Sequence, residues 1–203
     1  MARNDEFFLN HWIGYYGREL GEENLFVYLD GEDQPIPQKA GKANVIHNKR
    51  VAEHVVAAEK RRCGFLSEVA AKLLDTYDLV IGVDADEFLI VDPACGKSLA
   101  EYLSSIHIAT SVSGLGLDVG QKLGTEEQLQ DSKPFLSQRQ YAYISSRYTK
   151  PSVISRPVRW GSGFHRVKGH NFRIDPNLYL LHFGAVDYDM IMARFKDKDR
   201  MTT

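Results

Sequence analysis

The chain has little cysteine and no long apolar run. Cys63 and Cys95 are its two cysteines among 203 residues, too few for a disulfide framework or a four-thiolate zinc site. No apolar stretch approaches the roughly 18 residues of a membrane-spanning helix, and no signal-like apolar segment follows the first residues. These absences exclude a small disulfide-bonded scaffold and a membrane channel. We expect no transmembrane segment and a cytoplasmic location, with peripheral attachment to the inner membrane left open.

Acidic residues are missing from one long stretch. Between residues 132 and 174 the sequence has nine Lys or Arg and no Asp or Glu. Lys+Arg total 25 and Asp+Glu total 27, so the remainder holds 16 basic against 27 acidic residues. Such a division predicts that the 132–174 stretch faces an anionic ligand. A solvated basic surface that pairs with acidic surface elsewhere is the alternative.

The order of helical and strand patterns predicts an α/β fold. A hydrophobic content of 43% is enough for a core, and the length suits a single domain over 1–203. Helix and strand patterns alternate in the first half, which favours a mostly parallel central sheet with flanking helices. The predicted elements are helices at 5–20, 49–76 and 99–106, and strands at 24–30, 40–48 and 78–91.

The second half of the chain has a different pattern. Residues 111–120 are glycine-rich, and residues 121–134 are polar, which predicts a loop. Further elements are expected as strands at 135–144, 151–160 and 177–186, and as a helix at 187–200.

Two carboxylates stand where a buried strand is expected to end. Asp84 and Asp86 follow the apolar run Leu79–Val83, and ligand sites of open α/β sheets lie outside such strand ends. Acidic side chains behind a buried strand are costly unless a cation or hydrogen-bond donors compensate. The spacing therefore predicts a site for a hard divalent cation, Mn²⁺ or Mg²⁺, with open positions for phosphate oxygens. A solvated acidic turn is the alternative.

Three segments of the first half carry a family resemblance. They are Arg3-Asn4-Asp5-Glu6-Phe7-Phe8-Leu9 with Trp12, Tyr15 and Tyr16 behind it, Leu25-Phe26-Val27-Tyr28, and Asp84-Ala85-Asp86-Glu87-Phe88. Together they resemble GT-A-type glycosyltransferases of the family 2 and family 92 kind. The resemblance covers residues 3–92, with a weaker extension through Pro157–His165. It implies a GT-A-like fold with a nucleotide- and metal-binding half over 1–106 and an acceptor-side half over 107–203.

The same resemblance implies an activity. A metal-dependent enzyme of this kind moves a hexose from a nucleotide-diphospho-sugar to a carbohydrate or another hydroxyl acceptor, as in polysaccharide biosynthesis. We expect a UDP-sugar donor and an inverting reaction. The cofactor would be Mn²⁺ or Mg²⁺, acting as a Lewis acid on the leaving nucleoside diphosphate.

The resemblance also implies the metal ligands. Asp84 would face the ribose or the metal ion, and Asp86 would bind the metal ion. A third ligand would come from a histidine late in the fold, His165 or His182, and an imidazole suits Mn²⁺ better than Mg²⁺. His165 has the more favourable neighbours in sequence, because glycines and basic residues flank it.

Other positions would contact the donor or the acceptor. Arg166 and Lys168, beside His165, would meet the diphosphate. Glu87 is the candidate catalytic base for the acceptor hydroxyl. Weaker candidates for that role are Asp118, Asp187 and Asp189. The residues expected at the nucleotide are Arg3, Asn4, Glu6, Asp30 and Asp84.

The sequence departs from the family pattern before Arg3. GT-A enzymes open with a strand ahead of the Arg-Asn-x-Glu turn, and here only Met1 and Ala2 stand before it. We therefore expect the usual first strand to be absent, which would leave a sheet edge bare. A non-catalytic nucleotide-sugar-binding or glycan-binding relative is thus a second hypothesis.

Two further classes fit less well. A haloacid-dehalogenase-like phosphatase needs a D-x-D-x-T loop after the first strand, whereas Phe88 holds the fifth position here. A nucleic-acid binder would suit the basic stretch. The sequence has no recognisable nucleic-acid module, however, and its net charge is −2. We expect no nucleic-acid partner.

Overall fold

The structure, a computed structural model, describes residues 1–51, 54–130 and 133–196. Its helices are α1 (Glu6–Leu20), α2 (Val55–Leu73), α3 (Leu99–Ser105) and α4 (Tyr188–Lys196). Its strands are β1 (Phe26–Asp30), β2 (Asn44–Asn48), β3 (Val80–Ile81), β4 (Glu87–Val91), β5 (Ser111–Gly120), β6 (Ala142–Ile144), β7 (Val153–Ile154) and β8 (Arg173–Ala185). Single 3₁₀ turns occur at Glu22–Asn24, Pro93–Cys95, Phe135–Ser137 and Ser162–Phe164.

The helices form where the apolar periodicity predicts them. In α1 one face buries Phe8, Leu9, Ile13 and Tyr16, and Gly21 ends the helix with φ 88°. Helix α2 runs through Gly64 without a break. Helix α3 begins with a capping box in which Ser98 and Glu101 exchange hydrogen bonds. The four helix predictions are confirmed in place, although α2 begins at Val55 rather than at 49. Residues 52–53 and 197–200 lie outside the described residues.

The strands form two sheets. Strands β1 and β2 make a small parallel pair. The other six make a mixed sheet in the order β3-β7-β5-β8-β4, with β6 also on β5. Among the described strands of this larger sheet, β5 and β8 alone run parallel, and the remaining pairs are antiparallel.

The predicted mostly parallel central sheet with flanking helices, the GT-A-like arrangement, is therefore wrong. A parallel neighbour needs a crossover of a dozen or more residues, usually a helix. Between α3 and α4 the described chain has no α-helix, so β6 and β7 return antiparallel to β5. The long connection from β7 to β8 allows the single parallel pair with β5.

The apolar run at 78–91 is two strands rather than one. Strand β3 ends at Ile81 and β4 begins at Glu87, so Asp84 and Asp86 lie in the turn between them. The backbone N–H of Phe183 in β8 donates to the Asp86 carbonyl, which fixes this turn against the larger sheet. The turn thus connects β3 and β4, which lie at the two ends of the strand order of the larger sheet.

The glycine-rich segment 111–120 forms a strand of ten residues, β5, which we had not predicted as a strand. Gly116 is required there because a Cβ would lie 2.3 Å from the backbone carbon of Tyr148. The missing side chain lets the 145–149 segment cross β5 closely. The strand predictions in 135–144, 151–160 and 177–186 are confirmed as the shorter β6 and β7 and the longer β8.

The core lies between the sheets and α1. Leu9, Ile13, Leu89 and Leu180 are among its buried residues. A neighbouring aromatic cluster packs α1 against β4 and β8 through Phe8, Phe88, Phe135 and Phe183. A third cluster packs α2 on Ile154, Trp160 and Phe164. No helix in the described ranges is both long and apolar enough to cross a membrane.

Candidate functional site

The 84–87 turn sends its acidic side chains in two directions. Asp84 and Glu87 point to a set of partly or fully buried charges that we call the charge network: Glu59, Arg62, Asp84, Glu87 and Lys150. Asp86 points to a second set that we call the histidine cluster: Asp5, Asp86, Asp118, Tyr148, His182 and Arg194. The two carboxylates predicted to share one cation therefore have different neighbours.

In the charge network each Asp84 oxygen has its own cation. Arg62 Nη1 lies 2.8 Å from Asp84 Oδ1, and Lys150 Nζ lies 3.1 Å from Oδ2. Lys150 is 3% exposed and also contacts Glu87 Oε1 at 2.5 Å. Glu87 is 1% exposed, and its other oxygen accepts from the Asp84 backbone N–H at 3.1 Å. The network thus joins the turn to α2 and to the segment before β7.

These contacts strongly shift the pKa values of the charged groups in the network. Burial would raise the pKa of Asp84, but Arg62 and Lys150 outweigh it and hold that pKa well below its usual range. For Glu87, burial and then the Asp84 charge raise the pKa to about 7. Burial would lower the pKa of Lys150, yet the carboxylates of Asp84 and Glu87 raise it. The network therefore favours an ionised Asp84 and Lys150 and a Glu87 that titrates near neutrality.

Glu59 closes the other end of the charge network. It accepts from Arg62 Nε at 2.9 Å and from the Gly163 backbone N–H at 2.6 Å. Burial would raise the pKa of Glu59, but Arg62 lowers it to about 2. This carboxylate joins α2 to the 161–164 turn.

The histidine cluster holds His182 in one orientation. Its ring stacks on Tyr148 at 3.7 Å between centroids and 12° between planes. His182 Nδ1 lies 2.8 Å from Asp118 Oδ1, and a carboxylate can only accept, so Nδ1 carries the proton. His182 Nε2 then faces Asp86 Oδ2 at 3.8 Å. Asp86 and His182 keep 19% and 15% of their side chains exposed.

Asp86 also has a cation beside it. Arg194 Nη1 in α4 lies 3.5 Å from Asp86 Oδ2, and its Nη2 lies 2.8 Å from Asp5 Oδ1. The guanidinium stacks over the Phe8 ring at 4.5 Å. Helices α1 and α4 are thereby tied to the turn. Asp5 and Asp86 both contact this permanent positive charge, whereas Asp118 contacts the His182 ring, which is charged only when doubly protonated.

The metal-binding and diphosphate-binding residues predicted in the Gly161–Lys168 segment lie outside the histidine cluster. His165, Arg166 and Lys168 are exposed. Burial of part of the ring, and then the positive charge of Lys150, lower the pKa of His165. His165 is therefore near the charge network, and the structure gives it no contact with Asp86. Arg166 and Lys168 are both exposed to solvent.

The residues predicted at the nucleotide surround the end of β1. Arg3 donates to the Asp30 carbonyl at 2.8 Å and forms two hydrogen bonds with Asp33. Asn4 exchanges hydrogen bonds with Gln34, and Glu6 is exposed at the start of α1. Asp30 Oδ1 is buried and has no hydrogen-bond partner within the described residues.

Asp30 and Asp84 both influence the α-amino group of Met1. Both carboxylates raise the pKa of the Met1 α-amino group, whose burial lowers that pKa to about 6. Asp30 and Asp84 thus share an electrostatic effect on the same buried α-amino group, and Glu6 lies at the surface.

Several residues of both clusters could not be predicted from the sequence. Glu59 and Arg62 lie three residues apart on α2, a spacing typical of a helical ion pair. That spacing predicts the ion pair within α2, but no feature of the nearby sequence predicts the contact between Arg62 and Asp84. Arg194 was predicted only as part of the helix at 187–200, although its contacts lie with Asp5 and Asp86, more than 100 residues away.

The donor set of the histidine cluster fits a divalent cation. With the proton on Nδ1, the Nε2 lone pair of His182 faces the Asp86 carboxylate, and this repulsion is relieved by a cation or a proton between them. Asp118 would act as the carboxylate that orients a metal-binding histidine. Among the described residues, no group of three or more His, Cys, Asp or Glu side chains could hold a metal ion. A metal ion here would thus have two protein ligands, Asp86 and His182, as Mg²⁺ or Mn²⁺ bound with substrate phosphates often has.

No protein-family model matches the chain, and no curated protein matches it.

Proposed function

We propose that the chain is a metal-dependent glycosyltransferase that moves a sugar from a nucleotide-diphospho-sugar, a UDP-sugar in the first place, to a carbohydrate or another hydroxyl acceptor. The proposal rests on the resemblance of the Asp84–Phe88 segment to glycosyltransferases. The one structural observation that supports it is the facing pair of Asp86 and a His182 oriented by Asp118. This pair supplies one carboxylate and one imidazole at a partly open position.

Each cluster has a different role in this proposal. Asp86 and His182 would hold Mn²⁺, and the ion would neutralise charge that develops on the leaving nucleoside diphosphate. Asp84 is a positioning residue, because Arg62 and Lys150 already occupy both of its oxygens. The exposed cations of Arg166 and Lys168 are suited to the diphosphate.

A non-catalytic nucleotide-sugar-binding protein is the second candidate. Glu87, the expected catalytic base, is buried and engaged by Lys150. This burial places its carboxyl group out of reach of a bulky acceptor, so binding without sugar transfer would follow if no other base serves. Asp118 is the nearest carboxylate of the histidine cluster to the His182 ring.

The test is calorimetric titration of the chain with UDP, with and without Mn²⁺, and with Mn²⁺ alone. We expect UDP binding that requires Mn²⁺, and loss of Mn²⁺ binding in Asp86→Asn and His182→Ala. Asp118→Asn should weaken Mn²⁺ affinity by about 10–100-fold, because the imidazole loses its orienting carboxylate. Hydrolysis or transfer assays with UDP-sugars then separate the enzyme from the binding protein.

Two matched controls accompany these variants. His165→Ala removes the other candidate histidine, and Asp78→Asn removes an exposed carboxylate. Neither should change Mn²⁺ affinity by more than about twofold, since surface substitutions away from the site have small effects. Mn²⁺ affinity that survives Asp86→Asn but falls with His165→Ala would move the metal site to the Gly161–Lys168 segment and refute our assignment.

A further inference from the structure

Helix α4 is attached to the molecule differently at its two ends. At the first turn the Asp187 carboxylate accepts from the backbone N–H groups of Asp189 and Met190, both at 3.1 Å. Among the described residues of the last turn, 192–196, Arg194 is the one whose side chain forms hydrogen bonds or ion pairs. The polar attachment of this end of α4 therefore depends on a single side chain.

Apolar packing adds little at the same end of α4. None of the residues of α4 is buried, and Met192 and Phe195 are 37% and 67% exposed. Most of the stability of a helix in a protein comes from the packing of its apolar face. The last turn of α4 is thus held mainly by the contacts of Arg194 with Asp5, Asp86 and one aromatic ring.

Arg194 and His182 face the same carboxylate oxygen. Asp86 Oδ2 lies 3.5 Å from Arg194 Nη1 and 3.8 Å from His182 Nε2. Mg²⁺ binds oxygen at about 2.0–2.1 Å, so a divalent cation on Oδ2 would lie within about 6 Å of Arg194 Nη1. Two positive charges at that separation repel each other, and the repulsion is stronger where the groups are partly shielded from water. The guanidinium and a divalent cation therefore compete for Asp86.

We infer that Arg194 is an internal competitor of the divalent cation at Asp86, and that α4 is a strap whose last turn is released when the cation binds. The inference rests on the metal site of the proposed function and adds a conformational step to it. Without a divalent cation, Arg194 neutralises Asp86 and ties α4 to the 84–87 turn. With the cation bound, Arg194 keeps its ion pair with Asp5 alone, so the last turn loses one of its two ion pairs.

The competition acts in both directions. A coupling between two binding equilibria is reciprocal, so Arg194 weakens cation binding by the factor by which the cation weakens the attachment of α4. The prediction can therefore be checked at the cation, through its affinity, and at the helix, through its opening.

The first measurement is calorimetric titration with Mn²⁺ alone of the parent chain, Arg194→Met and Arg194→Lys. We expect Arg194→Met to bind Mn²⁺ about tenfold more tightly than the parent, a factor within the usual range of coupling between sites. Arg194→Lys keeps the positive charge and should remain closer to the parent than Arg194→Met does. Lys196→Met is the matched control, because it removes an exposed cation from the same helix, and it should change the affinity by no more than about twofold.

The second measurement is hydrogen–deuterium exchange of the amides of residues 192–196, which needs no variant and no activity. In the parent, saturating Mn²⁺ should speed this exchange by about threefold or more, because the last turn opens more often once it has lost an ion pair. The amides of α3 should not respond to Mn²⁺. In Arg194→Met the exchange of residues 192–196 should be fast with and without Mn²⁺.

Two results would overturn the strap and leave the metal site in place. One is an equal Mn²⁺ affinity of the parent and Arg194→Met. The other is slower exchange of residues 192–196 in the presence of Mn²⁺, which would show that the cation fastens the helix. Absence of Mn²⁺ binding by both chains, each shown by circular dichroism to be folded, would refute the metal site and the strap together.

Discussion

At the scale of single residues, Lys150 has the most consequential position in the site. Its ammonium group is the only cation that contacts both Asp84 and Glu87 among the described residues. Because Lys150 is almost fully buried, it cannot face a nucleotide diphosphate in solvent, although it belongs to the basic stretch. Its charge instead compensates the carboxylates of the turn, as buried charges require.

Replacing Lys150 tests this assignment. Lys150→Met keeps a long side chain and leaves Asp84 and Glu87 without their shared cation, so we expect a loss of about 3–5 kcal/mol in the free energy of unfolding. Urea denaturation measures it. The control is Lys168→Met at an exposed cation, which should change stability by no more than about 0.5 kcal/mol. Equal effects of the two variants would contradict the role of Lys150.

At the scale of elements, the glycines of β5 decide how closely its neighbours approach. Gly116 lies against the backbone of the 145–149 segment, to which it is bound by the Ser145 N–H and by Thr149 Oγ1. This approach sets Tyr148 beside His182. The absence of a side chain at Gly116 thus permits backbone contact.

Gly116→Ala should therefore destabilise the protein. A Cβ would stand 2.3 Å from the Tyr148 backbone carbon, and the backbone shift should cost about 1–3 kcal/mol. Gly120→Ala in the same strand is the control, because its Cβ would lie 3.7 Å from the nearest atom, the Ala185 carbonyl oxygen. Thermal and urea unfolding give the difference between the variants. A smaller loss for Gly116→Ala than for Gly120→Ala would refute the close approach.

At the scale of the whole molecule, the charge network links parts that are distant in sequence. It joins α2, the 84–87 turn and the segment before β7 through side chains that are partly or fully buried. The pKa values of two of its carboxyl groups are shifted in opposite directions, since the pKa of Glu59 is lowered to about 2 and that of Glu87 is raised to about 7. The stability of the molecule should therefore depend on pH at two separate ranges.

The change of stability with pH has opposite signs for these two carboxylates. The folded protein binds Glu59's proton less readily than the unfolded chain, so the stabilisation by Glu59 is present above about pH 4.5 and is lost as pH falls towards 2. For Glu87 the folded protein binds the proton more readily. Its stabilisation is present below about pH 4.5 and is lost as pH rises through 7.

Paired variants separate the two contributions. Relative to the parent chain, Glu59→Gln should flatten the fall in stability between pH 4.5 and 2. Glu87→Gln should flatten the fall between pH 4.5 and 7. Urea unfolding across pH 2–8 measures both, and each variant is the control for the other. A Glu87→Gln variant that changes only the acid range would refute the raised pKa of Glu87.

Local order could be predicted from the sequence because it depends on neighbours in the chain. The period of apolar residues predicted α1, and the Ser98–Glu101 spacing supports the start of α3. The acidic turn at 84–87 was also visible as Asp and Glu behind an apolar run. Periodicity and capping fix such features within one or two helical turns.

Pairing between distant strands and side chains was decided only by the tertiary structure. The sequence could not show that β4 pairs antiparallel with β8, or that Arg62 and Lys150 neutralise Asp84 while His182 faces Asp86. These partners lie 22 to 96 residues apart. Hydrogen bonds and ion pairs of this kind depend on which groups the folded sheets bring within about 4 Å, and no local pattern in the chain specifies that distance.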